Sequence, residues 1–151
     1  MTSILVVCLG NICRSPLAQG LLESKLPSHS FYVDSAGTAN YHAGNPPDSR
    51  SIAVAKSSGI NISKQTARSF NISDFDTFDI IYVMDHSNLE NIQKLARNIS
   101  DLTKVKLILE TDERATDKTV PDPYYDDLLG FEIVFQILDN VTSVITKQLL
   151  K

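Results

Sequence analysis

Residues 7–16, VCLGNICRSP, constrain the fold of this chain more than any other stretch. Four apolar residues at 4–7, three of them β-branched, lead into it and suit a short buried strand. Cys8 follows, then five residues, then Arg14, and Ser15-Pro16 opens an amphipathic segment. Ser15 is a favourable N-cap and Pro16 a favourable first helical residue. A strand, a tight loop and a helix start make an anion cradle, because loop N–H groups and the positive helix end converge on one point. Gly10 and Asn11 tolerate the left-handed backbone that such a loop requires.

The rest of the chain alternates strand and helix, the pattern of a parallel α/β sheet. The first helix runs through Leu17, Leu21 and Leu22 to about Leu26, and Pro27 ends it. A second strand is predicted over 31–35, and a polar, turn-rich loop over 38–47. Asp48 or Ser49 caps a second helix that stops at Gly59. Residues 60–75 read as irregular, with one short helix from Ser63. A third, central strand covers 78–84, and Ser87 with Glu90 forms a capping box for the next helix. The fourth strand covers 105–109. A long loop, 111–126, precedes a last helix that Asp127 starts. In that helix Val134, Ile137, Leu138, Val141, Val144, Ile145 and Leu149 recur at threes and fours, so one face packs on the sheet. No repeat or linker interrupts the chain, and 151 residues suffice for one domain over 1–151.

The cradle carries a thiol at its start and a guanidinium at its end, which points to phosphoryl transfer through cysteine. A free cysteine, with a pKa of about 8.5, is mostly protonated at pH 7, but a helix N-terminus and a neighbouring Arg favour the thiolate. Cys8 has both within reach. The fork of Arg14 matches two phosphoryl oxygens at once, which a lysine could not do. Ser15 can give its hydroxyl proton to the Cys8 thiolate. A thiolate attacking a phosphate monoester needs an acid for the leaving oxygen. Asp122 is the candidate, stiffened between two prolines in Val-Pro-Asp-Pro-Tyr-Tyr, although Pro-Asp-Pro is also an ordinary surface turn.

The formal net charge of −4 argues against a nucleic-acid or anionic-membrane partner, without excluding an anionic substrate held in a local cradle. No apolar run approaches the roughly 20 residues that span a bilayer. The first residues lack the basic start of a signal peptide, so a cytoplasmic protein is expected. Cys8 and Cys13 are the only cysteines, too few for a structural zinc site, and they read as reactive. No metal or other cofactor is expected. Asn61, Asn71, Asn98 and Asn140 head glycosylation-type sequons, but they read as caps and turns.

VCLGNICRSP together with the distant Asp122-Pro-Tyr-Tyr resembles the low-molecular-weight protein tyrosine phosphatases. The likeness extends to the Asp-Ser-Ala-Gly at 34–37, Gly-Asn-Pro-Pro-Asp at 44–48, Gly-Ile-Asn at 59–61, Thr-Ala-Arg at 66–68, Phe-Asp at 78–79 and Met-Asp at 84–85. It implies a four-stranded parallel sheet in order 2-1-3-4 with helices on both faces. It also implies Cys8 as nucleophile, Arg14 as phosphate clamp and Asp122 as general acid. Leu9, Gly10, Asn11, Ile12, Cys13, Arg14 and Ser15 form the phosphate-binding loop, shaped by Asn11, Ser15 and Ser35. In such a sheet Cys8, Ser35, Asp85 and Asp122 all follow strand ends on one rim, where open α/β sheets bind ligands. That coincidence raises Asp122 from turn to acid.

Tyrosine-phosphorylated proteins are the implied substrates, and inorganic phosphate or other oxyanions the implied inhibitors. Tyr124 and Tyr125 match an aromatic wall, Tyr41 is read equally as wall or exposed loop residue, and Leu9 and Ile12 can touch the ring. The resemblance also implies a reversible Cys8–Cys13 disulfide that protects the nucleophile. The family often carries a histidine before the Ala-Arg, bonded to the loop-shaping asparagine; Gln65 stands nearest here. His29, His42 and His86 lie in loop-like sequence and read as solvated. A monomer is expected, with weak self-association left open. Two alternatives remain in view. Thiol-dependent arsenate reductase shares the cradle but needs downstream cysteines, and none follows Cys13. A non-catalytic phosphate- or phosphopeptide-binding module would not need Cys8 and Asp122. A P-loop nucleotidase lacks its Gly-Lys-Ser/Thr.

Overall fold

The computed structural model describes residues 1–151. Strands β1 (Thr2–Cys8), β2 (Phe31–Gly37), β3 (Ile80–Val83) and β4 (Val105–Leu107) form one parallel sheet in the order β2-β1-β3-β4. The central β1 pairs on both edges, Ile4 with Val33 on one side and Ile80 on the other. Ile4, Leu5, Val6 and Val7 are wholly buried, as strands of a doubly covered parallel sheet must be.

Helices cover both faces. The side of the sheet bearing Ile4, Val6 and Tyr82 packs against α1 (Arg14–Lys25), α2 (Ser49–Ser57) and α6 (Leu128–Leu149). The side bearing Leu5, Val7, Ile81 and Val83 packs against Phe75 of α3 (Asp74–Thr77) and Ile92 of α4 (His86–Gln93). A further helix, α5 (Ile99–Thr103), leads into β4. In α6 the expected stripe buries Val134, Leu138, Val141 and Ile145, and Phe131 and Phe135 extend it by a turn. Each such burial contributes about 1.5–3 kcal/mol. Ile137 and Leu149 are only half-buried at its margin.

Several boundaries differ from the sequence reading. Helix α1 begins at Arg14, one residue before the expected cap, because the Ser15 hydroxyl is turned to Cys8 instead of capping. Helix α4 is capped by Asp85, not Ser87: the Asp85 carboxylate accepts from Asn88 N, and the Asn88 side chain accepts from Asp85 N. No helix starts at Ser63; the helical turn of that segment is α3. β4 stops at Leu107 and the chain tightens into a 3-10 turn, Ile108–Thr111. Helix α5 was not anticipated, although Asn98 caps it by accepting from Asp101 N. Asn61 and Asn71 accept from the N–H two residues on, the turns expected of them.

The absence of any segment near membrane-spanning length is also corrected. Helix α6 has 22 residues, and by length and composition alone it contains a stretch apolar enough to cross a bilayer, a test that the core helix of a globular domain also passes. Only Glu132, Asp139 and Lys147 are charged along it. Its polar residues are otherwise uncharged, which is why no run looked unbroken while the average stayed apolar. Its apolar stripe is packed on α1 and α2.

Candidate active site

β1 ends at Cys8, and the next residues turn beneath α1 to form the cradle. Asn11 is the one non-glycine residue with positive φ, at 58°. Its side chain is buried under the loop and ties it to three other segments. Asn11 Nδ2 donates to Ser15 Oγ (2.8 Å) and Ser35 Oγ (2.9 Å), and Asn11 Oδ1 accepts from Arg68 N (3.0 Å). Ser35 in turn donates to Gln19 Oε1 at 2.6 Å. Gly37 lets the end of β2 press on the loop. A Cβ there would lie 2.7 Å from Leu9 O, and Thr38 N and Ala39 N donate to Cys8 O and Leu9 O.

Ser15 Oγ stands 3.0 Å from Cys8 Sγ. With Asn11 donating into it, the Ser15 hydroxyl has its own proton to give to a thiolate. Arg14 is 1% exposed. Its Nη1 donates to Asp85 Oδ2 (2.7 Å) and Val120 O (2.9 Å), while Nη2 lies 3.6 Å from Asp122 Oδ2. Burial alone would lower the pKa of the guanidinium, but Cys8, Asp85 and Asp122 outweigh it and hold the group above its ordinary value. Arg14 Nε is buried with no protein partner. An unpaired buried donor is costly, and an oxyanion in the cradle is the ligand that fits it.

A cleft open to solvent lies above Cys8. Cys8, Leu9, Gly10, Ile12, Cys13 and Arg14 form its floor, and Tyr41, Asp122, Tyr124 and Tyr125 its walls. Asn11, Ser15 and Ser35 do not line it; they lie buried beneath the loop. Tyr124 is a true wall at 37% exposure, whereas Tyr41 and Tyr125 stand at the rim, 75% and 95% exposed. The Tyr124 and Tyr125 rings meet edge to face at 5.0 Å. Asp122 Oδ1 accepts from Tyr124 N at 3.1 Å, which aims the carboxyl group across the cleft. The loop carrying it is pinned at buried Val120, whose N–H donates to Met84 O and whose carbonyl receives Arg14. No group of three or more His, Cys, Asp or Glu side chains is placed to hold a metal ion.

Two expectations change. Gln65 does not join the Asn11 network; its Nε2 donates to Pro16 O at 3.1 Å, and Arg68 N takes the Asn11 oxygen instead. His42 is not a detached surface residue. It lines the cleft, tilts against the Tyr124 ring at 6.0 Å, and packs so close to Gly10 that a Cβ there would sit 2.9 Å from His42 Cδ2. Only its place beside Tyr41 could have suggested this. Asp85 and Val120, the fixed partners of Arg14, were also not read as its partners, since nothing local marks either as reaching the cradle. Cys13 is buried in the loop; burial chiefly, then Cys8, Asp48 and Asp122, push its thiol well above the ordinary range.

A thiol at a strand end, a buried guanidinium and a helix start in one loop define an α/β protein built to hold a tetrahedral oxyanion over sulfur. The family model described as low molecular weight phosphotyrosine protein phosphatase matches residues 3–151. A relative of that name from Schizosaccharomyces pombe is 41% identical over 142 residues, covering 90% of each chain. The human protein of that name is 39% identical over 139 residues, covering 89% of this chain and 87% of its own. The crystal structure of a protein tyrosine phosphatase from Entamoeba histolytica, with Hepes in its active site, superposes with a TM-score of 0.91 at 33% identity, over 99% and 97% of the two chains. The chain belongs to the low molecular weight phosphotyrosine protein phosphatase family.

Proposed function

We propose that this chain, as one domain over 1–151, is a cytoplasmic phosphatase that hydrolyses aryl phosphate monoesters, with tyrosine-phosphorylated proteins as its substrates. The observation that carries the reading is the meeting of Cys8, Arg14 and Asp122 in one cleft. In the first step the Cys8 thiolate attacks phosphorus. The S–P bond forms, the ester P–O bond breaks, and Asp122 gives its proton to the departing phenolate oxygen. In the second step Asp122 takes a proton from water, whose oxygen attacks phosphorus and displaces sulfur. Ser15, 3.0 Å from Cys8 Sγ, eases the departure of sulfur as thiolate. Arg14 Nε and Nη2, with the loop N–H groups, hold the equatorial oxygens, whose charge the transition state spreads.

Tyr124 gives the phenyl ring an apolar wall, with Tyr41 and Tyr125 at the rim above it, so that phosphotyrosine reaches Cys8 and the shorter phosphoserine does not. Inorganic phosphate and other oxyanions compete for the same loop. Cys13 serves as a resolving thiol: a peroxide oxidises the Cys8 thiolate to a sulfenic acid, being reduced itself to water or alcohol, and the sulfenic acid condenses with the Cys13 thiol, forming the disulfide and releasing water.

The test is hydrolysis of p-nitrophenyl phosphate and phosphotyrosine peptide by wild type, Cys8→Ser and Asp122→Ala. Cys8→Ser is expected to abolish turnover of both, and Asp122→Ala to lower turnover of the phosphotyrosine peptide by roughly 10²–10⁴-fold and that of p-nitrophenyl phosphate, whose leaving group is better, by less. Equal rates in wild type and Cys8→Ser would overturn the reading.

A further inference from the structure

The two halves of the cleft come from separate segments. The cradle is fixed by β1 and α1, whereas Asp122 rides on an exposed loop. The N-terminal turn of α2 touches both. Asp48, its N-cap, donates from its backbone N to Ile12 O (2.8 Å), and Ser51 Oγ donates to Cys13 O (3.2 Å). Between them Arg50 reaches the other way. Its Nη2 donates to Tyr124 O (3.0 Å) and its Nη1 to Asp126 O (2.8 Å). Both Asp48 carboxylate oxygens, each at 2.9 Å, hold the guanidinium in plane, and the Phe131 ring lies 4.3 Å beneath it.

Tyr124 is the link. Its carbonyl is held by Arg50, and its N–H is the group that orients the Asp122 carboxylate. We infer that Arg50 is a positioning residue for the general acid, stapling the Asp122 loop to the helix that also braces the cradle. Arg50 does not line the cleft and touches no reacting atom. The fork matters as well as the charge, because four donor directions are used at once, to Asp48 and to two carbonyls; lysine is a point charge and cannot span them. The inference rests on Asp122 being the acid.

A proton donor matters most when the leaving phenol is poor. The test is kcat/KM for phenyl phosphate and for p-nitrophenyl phosphate in Arg50→Met, Arg50→Lys, Asp122→Asn and the double variant Arg50→Met/Asp122→Asn. Inhibition by inorganic phosphate is measured in parallel. Arg50→Met is expected to lose about tenfold or more on phenyl phosphate, a part of the 10²–10⁴-fold that a general acid contributes, and far less on p-nitrophenyl phosphate. Arg50→Lys should show the same leaving-group pattern at smaller size. Phosphate inhibition should not change, and in the Asp122→Asn background Arg50→Met should add less than about twofold, because the positioned group is gone. A flat response to leaving group in Asp122→Asn itself would overturn the acid assignment. A leaving-group-dependent loss in Asp122→Asn with flat responses in both Arg50 variants would overturn the positioning role alone. So would a loss of phosphate affinity that matches the loss of rate in Arg50→Met.

Discussion

Asn11 joins conformational strain and hydrogen bonding in one residue, and substitutions can separate the two. Asn11→Ala removes the two bonds donated to Ser15 and Ser35 and the one accepted from Arg68 N. At a net value of about 1 kcal/mol each, the loss is about 3 kcal/mol. Alanine must also hold φ at 58°, which costs a residue with a Cβ about 1–2 kcal/mol. Asn11→Ala should therefore destabilise by about 4–5 kcal/mol. Asn11→Gly loses the same bonds but keeps the left-handed backbone without strain, so it should lose about 3 kcal/mol, and the difference of about 1–2 kcal/mol reports the strain. Urea unfolding of the two variants and wild type, with m unchanged, gives both figures. Alanine no worse than glycine, or losses below about 1 kcal/mol in both, would refute the claim that this side chain holds the cradle in a strained shape.

Two more outcomes follow from buried charge and buried thiol. Asp85→Asn keeps the cap of α4 but leaves Arg14 without its hydrogen-bonded anion, with only the more distant Asp122 carboxylate beside it. Breaking a fully buried pair costs about 3–5 kcal/mol, and since the Asp85 side chain is 27% exposed, about 2 kcal/mol is expected here, with Asp85→Ala about 1 kcal/mol worse for the lost cap. Equal stability of Asp85→Asn and wild type in urea would contradict this. Stability should also decline at alkaline pH. The folded Cys13 thiol keeps its proton above the ordinary cysteine range of about 8.5–9, while the unfolded thiol loses it. This contribution is whole below pH 9 and fades as pH rises past it, by at most about 1.4 kcal/mol per pH unit. Burial pushes Tyr82 from 10.0 up to about 12, which adds a second decline between those values. Urea midpoints across this range should lose the first decline in Cys13→Ala and the second in Tyr82→Phe.

The cradle was legible because its information is local. Strand, left-handed loop and helix start lie within residues 4–16, and each has a residue type that only that geometry favours. The alternation of β and α elements was legible for the same reason, through apolar periodicity and caps such as Asp48 and Asp127. The boundaries failed where a capping side chain had another partner. Ser15 has the chemistry of an N-cap, but Cys8 and Asn11 claim its hydroxyl, and no pattern within one turn encodes that competition. The helix α5 was missed because five residues are too few to display a period.

What the chain by itself determined is therefore the cradle, the class of the sheet, and the pairing of a thiol with a guanidinium six residues on. These depend on backbone preferences and side-chain types that act over one or two turns of chain. What only the tertiary structure decided is which distant groups complete the site. Asp85 and Val120 fix Arg14, Arg68 N rather than Gln65 closes the Asn11 network, His42 comes to the wall, and Arg50 clasps the Asp122 loop. Each is a contact between segments far apart in sequence. Such a contact depends on how the sheet and helices pack, and its donors and acceptors meet only after the loops have closed.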